Sequence, residues 1–405
     1  MPADATLPGT DEDEQSRRIV CHVDMDCFYA ACERLREPEL EGVPVIVGMG
    51  YEAGDDGGVV ATASYEAREF GIESAQPISD ALDALPRADV MPDDYAGPVG
   101  HYRPVDMSYY QKISGQLRSI FDRFATTVRV ASLDEAYLDI TERTDWTAAS
   151  SYGARLKTTI ADEVGVPASV GIAPTKGVAK IASDHDKPDG LTVVTPDAVA
   201  SFLEPLPVED LHGVGPVTAG ALREIDLTTI GDVASTPPSV LIEHFGERGR
   251  ELSMRSRGEG SGVVTPQGKP KSLSRESSLG DPTDDYEHIQ TVVSELSEAV
   301  AERAEQRGAQ YRTIGIKVVI PPFDINTREQ TFPGPFADGS LVESTARELL
   351  EEFEGETVRK VGVRVSNLDF AADQGSLDEW SDERGDDETT EVTFDHQGRL
   401  TDFER

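Results

Sequence analysis

The chain has 405 residues, 76 Asp and Glu against 37 Lys and Arg, a formal net charge of −39 and 38% hydrophobic residues. Such a length suits roughly two to four domains, because a single core stops growing at about 250–300 residues, and the apolar content is enough to build cores, which excludes global disorder. No run of about 18 apolar residues occurs and residues 1–18 are polar and acidic, so neither a membrane span nor a secretory signal is expected and the predicted setting is cytoplasmic.

The chain is read from its N-terminus as follows. Residues 1–18 form an acidic leader of disordered type. An apolar strand (Ile19, Val20, Val23) then runs into a helix with Phe28, Ala31 and Leu35 on one face, which puts acidic residues at a strand-to-helix junction. Cys21, Cys27 and Cys32 fall in this stretch without a CxxC spacing, and read as reduced small hydrophobes rather than zinc ligands or a disulfide framework. A strand over 43–47, a Gly- and Asp-rich loop, a strand over 59–63 and a helix from about residue 64 follow. Residues 127–140 alternate on both sides of Leu133 to Glu135, as a hairpin or bent strand pair would. A helix over 148–164 and a strand over 168–172 complete a mixed α/β unit.

After residue 194 the character changes. Residues 197–260 hold short helices punctuated by Gly and read as a small all-α module, and 258–270 read as a Gly/Ser/Pro linker. A second α/β unit then follows: a strand, a helix over 286–306, strands over 313–320 and 330–332, a helix over 341–353 and a strand over 360–367. From 371 to 390 the chain is an acidic spacer, ending in a segment with apolar punctuation at 392–403.

Charge argues against a polyanionic partner, because nucleic-acid binders usually carry a basic face. The acidic excess runs along the whole chain, with only 9 Lys beside 28 Arg. That pattern suits a halophilic surface, since molar salt screens self-repulsion, or else an acidic protein that avoids nucleic acid. The carboxylates decide between these. Asp24 closes a strand, while Asp134 and Glu135 occupy a hairpin turn, so three acids distant in sequence can meet at one sheet edge. Such a trio suits a pair of hard divalent cations, and two metals can hold both oxygens of an in-line phosphoryl displacement. Neighbours on a regular strand point to opposite faces, so Asp134 and Glu135 reach one site only if the backbone turns there. Taken singly, each acid reads as a solvated surface group.

Together with their surroundings they do not. HVDMDCFYAACE (22–33), VVATASYEAREFGI (59–72), SLDEAYLDIT (132–141), VGIAPTKGVAKIASDHDKPDG (170–190) and LHGVGPVTA (211–219) resemble, in order and spacing, the motifs of the Y-family, or translesion, DNA polymerases of the DNA polymerase IV branch. The resemblance covers about residues 18–368. It implies an α+β multidomain right-hand polymerase: palm over 19–28 and 95–194, fingers over 29–94, a helix-hairpin-helix thumb over 195–257, and an α/β little finger over 271–368. The implied activity is template-directed DNA synthesis of low fidelity without proofreading, by a monomer, with two Mg²⁺ (or Mn²⁺) ions. Asp24, Asp134 and Glu135 would be the metal carboxylates with the carbonyl of Met25, and Asp26 and Asp139 structural neighbours. Tyr29 would exclude a ribose 2′-hydroxyl. Thr62, Tyr65, Arg68 and Lys187 would meet the triphosphate of a deoxynucleoside triphosphate, with Lys180 in support, and Val59 and Ala61 would leave a roomy pocket at the nascent base pair.

Primer-template DNA would lie against the Gly213-Val214-Gly215 hairpin, whose backbone amides bind phosphate without reading sequence. Lys271, Arg275, Lys317, Arg328 and Arg359, with Lys269, Arg312, Lys360 and Arg364, concentrate basic charge in the little finger, and strand alternation can turn several of them to one face. The segment from Gln397 through Leu400 to Phe403 resembles a sliding-clamp-binding peptide, although Glu404 stands where a second aromatic belongs. Two rivals remain: a nucleotide cyclase with a palm-like site, which has no need of the hairpin or the basic unit, and a catalytically idle clamp-associated DNA-binding protein, in which these carboxylates need not persist.

Overall fold

The structure is a computed structural model that describes residues 17–92 and 95–370. In chain order the strands and helices are β1 Val20–Met25, α1 Phe28–Arg36, β2 Val45–Met49, β3 Val59–Ala63, α2 Tyr65–Arg68, α3 Ile78–Ala84, β4 His101–Pro104, α4 Met107–Phe124, β5 Thr127–Val130, β6 Glu135–Asp139, α5 Ala149–Glu163, β7 Ala168–Ala173, α6 Lys176–His185 and β8 Leu191–Val193. Helices α7 Val199–Leu203, α8 Pro216–Arg223, α9 Ile230–Ser235, α10 Pro238–Phe245 and α11 Glu247–Ser256 follow without an intervening strand. The remainder comprises β9 Ser272–Thr283, α12 Tyr286–Gln306, β10 Ala309–Ile320, β11 Asp324–Phe336, α13 Gly339–Leu350, β12 Val358–Ser366 and β13 Asp369–Phe370. The expected α+β class is what is found. Among the described residues, one compact unit runs through Gln267 and the other begins at Gly268. Among the described residues no helix is long and apolar enough to cross a membrane.

In the first unit a five-stranded sheet has the order β5-β6-β1-β7-β8. Strand β1 lies at its centre, antiparallel to both neighbours, with Asp24 opposite Glu135 on one side and Ser169 on the other. Period-two alternation then sorts the side chains. Cys21, Val23 and Met25 of β1, Ala136 and Leu138 of β6, and Ala168, Val170 and Ile172 of β7 share one buried core with Tyr110, Leu117 and Phe121 of α4 and Leu156 and Ile160 of α5. The opposite face therefore receives His22 and Asp24, Glu135 and Tyr137, and Ser169 and Gly171. Helix α6 covers that face, burying Val178, Ala179 and Ala182 against Val20 and Ala173 in a core that continues into α7–α11.

A second, three-stranded sheet (β3-β2-β4) carries α2 and α3. Its third strand, β4, pairs parallel with β2, so residues 101–104 extend this sheet past residue 94, where the sequence analysis ends the fingers. The unit from Gly268 is a sheet of order β11-β10-β12-β9 with β13 on β10, and α12 and α13 bury one face through Ile289, Val293, Val342, Ala346 and Leu350. Strand β11 is far longer than the three residues expected over 330–332, because its polar, exposed sequence at the sheet edge lacks the apolar alternation that marks a strand.

Gly171 shows how tightly α6 sits. A Cβ there would run into the backbone of Ala179 and Ser183, so only glycine permits this approach. Gly171→Ala is expected to destabilise the fold by about 1–3 kcal/mol through overpacking, read as a lower thermal midpoint by circular dichroism.

Candidate active site

The carboxylates assemble where β1 and β6 end. Asp24 and Glu135 are directly opposite in the antiparallel register, an arrangement that like charges oppose. The turn that delivers Asp134 is built by Ser132: its hydroxyl oxygen accepts from the amides of Asp134 (3.2 Å) and Glu135 (3.0 Å), while its proton goes to Asp134 Oδ1. The Met25 amide donates to the Asp134 carbonyl at 2.9 Å, locking that turn to β1. The bend that both acids require is therefore present.

Two ammonium groups offset the repulsion. Lys180 Nζ lies 2.6 Å from Asp24 Oδ2 and 3.1 Å from Glu135 Oε2, bridging the opposed pair. Lys187 Nζ lies 2.7 Å from Asp24 Oδ1, and both lysines also meet Asp184, at 3.4 and 2.9 Å. Beneath them, the buried His22 bonds Ser183 Oγ through Nδ1 at 2.8 Å and places Nε2 3.5 Å from Glu135 Oε2.

Protonation follows from these neighbours. Burial pushes Asp24 up, but Lys180 and Lys187 outweigh it and hold the carboxyl below its usual range. Burial likewise opposes ionisation of Glu135, and the His22 ring and Lys180 overcome it, holding that carboxyl well below its usual range. For Asp134 the balance reverses: burial, then the charges of Asp24 and Glu135, outweigh Ser132 and Lys180 and raise it to about 7. Four carboxylates, Asp184 among them, against two ammoniums leave the site short of positive charge, and the carboxylates are hard oxygen donors, so a hard divalent cation fits the residues present. Among the described residues no three or more His, Cys, Asp or Glu side chains stand gathered as metal ligands, and the ammonium of Lys180 occupies the position between Asp24 and Glu135.

The neighbouring acids are structural. Asp26 accepts from Ser169 Oγ (2.9 Å), the Asp189 amide (2.8 Å) and the Tyr65 hydroxyl (3.3 Å), and Asp139 accepts from the Thr141 amide at 3.0 Å. Tyr29 is buried in the first turn of α1, and its hydroxyl is raised by burial and by the nearby charge of Asp134. Arg68 donates through Nε to the Ala63 carbonyl at 3.0 Å and lies over the Tyr65 ring, 4.8 Å from its centroid. Thr62, Val59 and Ala61 are half-buried on β3.

Gly213 adopts φ +86°, which glycine accommodates without strain, and Gly215 caps the N-terminus of α8. The hairpin carbonyls are taken by arginines of α11, Arg248 to Gly213 O at 2.8 Å and Arg255 to His212 O at 3.1 Å. In the second unit the register divides the basic residues between the two faces. Lys317, Lys360 and Arg364 alternate with the core residues Ile316, Val361 and Val363, and so share the face without helices, where Lys317 and Lys360 both pair with Glu276. Arg275 and Arg328 sit opposite the core residues Val363 and Ile316 instead, which puts them on the helix side at the two sheet edges; Arg328 makes a forked pair with Glu352, both bonds 2.7 Å. Arg359 lies 4.4 Å from the centroid of the exposed Phe323 ring, and Lys271 precedes β9. A single basic face is thus not what alternation produces. Gln397, Leu400 and Phe403 lie outside the described residues.

Sequence reasoning missed His22 and the bridging position of Lys180. The spacing of Lys180, Asp184 and Lys187, i, i+4 and i+7, is the signal that puts them on one side of α6 and its C-terminal extension.

Comparison with known proteins agrees with this geometry. The model of the impB/mucB/samB family matches residues 23–184, that of the IMS family HHH motif residues 196–227, and that of the impB/mucB/samB C-terminal domain residues 270–378. DNA polymerase IV of Halobacterium salinarum is 56% identical over 95% of this chain and 93% of its own length. The chain belongs to the impB/mucB/samB family, the Y-family DNA polymerases. The DNA polymerase IV of Methanoculleus marisnigri is 40% identical over 90% of this chain and 98% of its own length. Among solved structures, a Y-family polymerase chimera of Dbh and Dpo4 has a TM-score of 0.74 at 28% identity, and an insertion ternary complex of Dbh DNA polymerase 0.63 at 27%, each covering 87% of this chain and all of the other. Y-family polymerases use divalent metal ions.

The raised Asp134 carboxyl makes a pH signature. A carboxyl whose folded value lies near 7, above its ordinary 3.8, favours folding most at low pH, and that contribution is lost as pH rises through about 7. In metal-free buffer at pH 8, Asp134→Asn is therefore expected to melt above the wild type, and the gap to narrow towards pH 4. Equal midpoints at pH 8 would count against a buried, uncompensated carboxylate.

Proposed function

We propose that this chain extends a DNA primer on a template, adding deoxynucleotides through phosphoryl transfer at the junction of β1 and β6. The observation that carries the reading is the opposed pair Asp24 and Glu135, with Asp134 buried beside them and the lysines of α6 and its extension reaching in. The three carboxylates and the Met25 carbonyl would hold two divalent ions, Mg²⁺ or Mn²⁺, which would supply charge neutralisation as the primer 3′-hydroxyl displaces pyrophosphate in line from the α-phosphate. The protein's part is positional. Lys187 moves from Asp24 to the triphosphate, with Thr62, Tyr65 and Arg68 beside it, and Lys180, yielding its place between Asp24 and Glu135 to metal, supports the same phosphates. Tyr29 closes the sugar side, rejecting a 2′-hydroxyl by steric exclusion, and the small side chains of Val59 and Ala61 leave space at the base pair.

In this reading the five-stranded sheet with α4–α6 is the palm, the three-stranded sheet the fingers, α7–α11 the thumb and the unit from Gly268 the little finger. The Gly213–Gly215 hairpin, Lys271, Arg275, Lys317, Arg328 and Arg359 would follow the phosphates of primer-template DNA. Residues 397–403 would tether a monomeric enzyme to a sliding clamp, raising its effective concentration at the primer end. An acidic surface of this kind fits a cytoplasm of molar salt.

Primer extension on undamaged and abasic templates, with Mg²⁺ in molar KCl, tests the reading. Wild-type extension should disappear in Asp134→Ala, a loss of about a hundred- to a thousandfold, because the variant removes a carboxylate that would hold the ions neutralising the developing charge. A folded wild type that binds primer-template but adds no nucleotide would instead indicate a DNA-binding protein without catalysis.

A further inference from the structure

We propose that Tyr110 and Glu33 brace the ring of Tyr29 and thereby set how strongly this polymerase rejects ribonucleotides, an inference that rests on reading Tyr29 as the wall against the sugar. A ring excludes one additional hydroxyl only while it cannot retreat by a hydroxyl's width. What stands behind Tyr29 therefore determines its selectivity as much as the ring itself.

The backing is explicit. The Tyr29 and Tyr110 rings are stacked, centroids 4.4 Å apart and planes inclined by 12°. Tyr110 is wholly buried, 0% exposed, and Phe28 meets it edge-on at 6.4 Å, so neither sideways nor backward displacement finds space. Its hydroxyl donates to Glu33 Oε1 at 2.7 Å, and Glu33 is only 2% exposed. A buried bond to a carboxylate is directional and costly to break, so it fixes the rotation and depth of the Tyr110 ring. Tyr29, Glu33 and Arg36 lie at i, i+4 and i+7 on α1, one stripe facing the start of α4. There Arg36 bonds Asp106 at 2.7 Å, and Asp106 caps α4 by accepting from the Tyr109 amide. That outer pair is largely solvent-exposed and contributes little, which leaves the inner Tyr110–Glu33 bond as the fixing contact.

Tyr110 and Glu33 are positioning residues; neither needs to touch the nucleotide. Their signature is consequently the ratio of kcat/KM for a deoxynucleotide to that for the matching ribonucleotide, in which a general loss of activity cancels. Tyr110→Leu, which deletes the stack and the bond, should lower this ratio roughly tenfold, the scale of an aromatic pair, and Tyr110→Phe and Glu33→Leu, which keep the stack, by less. Glu33→Gln retains an acceptor and should restore the wild-type ratio. Tyr29→Ala is measured alongside, and each variant is verified as folded by its thermal melt. Should Tyr110→Leu not fold, Tyr110→Phe and Glu33→Leu carry the test. If Tyr29→Ala admits ribonucleotides while the folded Tyr110 and Glu33 variants keep the wild-type ratio, the brace is overturned and the gate stands. If Tyr29→Ala keeps the wild-type ratio, the gate reading fails, and the brace with it.

Discussion

Two carboxylates facing each other across an antiparallel ladder are the constraint around which the first unit is arranged. Asp24 and Glu135 occupy opposed positions on β1 and β6, where like charges repel, and burial adds a desolvation cost. Neither acid is neutralised by taking up a proton. Both are instead held ionised by ammonium groups, Lys180 on α6 and Lys187 just past its end at His185, so the helix that covers the sheet also supplies countercharge. Its docking depends on Gly171, which lets the α6 backbone approach β7 more closely than any side chain would allow. A backbone contact in the sheet thus controls an electrostatic distance in the site, since Lys180 reaches Asp24 and Glu135 only if α6 lies flat against the strands.

Asp134 differs from its two partners for a physical reason. It arrives from the turn before β6 rather than from the ladder, and Ser132 is its principal bonded neighbour. With burial uncompensated, its carboxyl rises, and the site as a whole carries more negative than positive charge. A polymerase gains from that imbalance: an excess of negative charge attracts cations and holds stabilising interactions in reserve for the reacting complex. The cost is borne by the fold, an instance of strain concentrated where chemistry occurs.

Much of this was legible in the sequence. The strand-to-helix junction at Asp24, the hairpin about residues 133–135 and the helix over 286–306 follow from period-two and helical patterns, and the helix matches the observed Tyr286–Gln306. Asp24, Asp134 and Glu135 were singled out because motif context supplied what an acid-rich composition conceals. The omissions share another cause. His22, Tyr110 and Glu33 act through tertiary partners 77 to 161 residues away, as in the Tyr110–Glu33 and His22–Ser183 bonds, and no local pattern encodes such a pairing. Strand β11 escaped because an exposed edge needs no apolar alternation, and which basic residues of the second unit share a face is set by register, which alternation alone leaves open: Lys317, Lys360 and Arg364 share one, while Arg275 and Arg328 lie on the other.

Register also bears on how so acidic a chain approaches a polyanion. At molar salt the Debye length is about 3 Å, so repulsion between the surface and DNA phosphates is confined to contact, while ion pairs as close as Lys180–Asp24 at 2.6 Å persist. The same screening abolishes long-range steering, and counterion release drives cationic binding less as salt rises. Contacts that need no mobile cation therefore gain relative weight: the hairpin amides near Gly213 are fixed by backbone geometry, with Arg248 and Arg255 already committed to its carbonyls. On the open face of the second unit, Glu276 occupies Lys317 and Lys360, so a phosphate must compete with a carboxylate that is held ionised by those same lysines against the opposing effect of burial. In the proposed reading, discrimination between a bound duplex and a passing anion comes from matching fixed donors rather than from net charge, which is how a chain of charge −39 can still serve as a DNA polymerase.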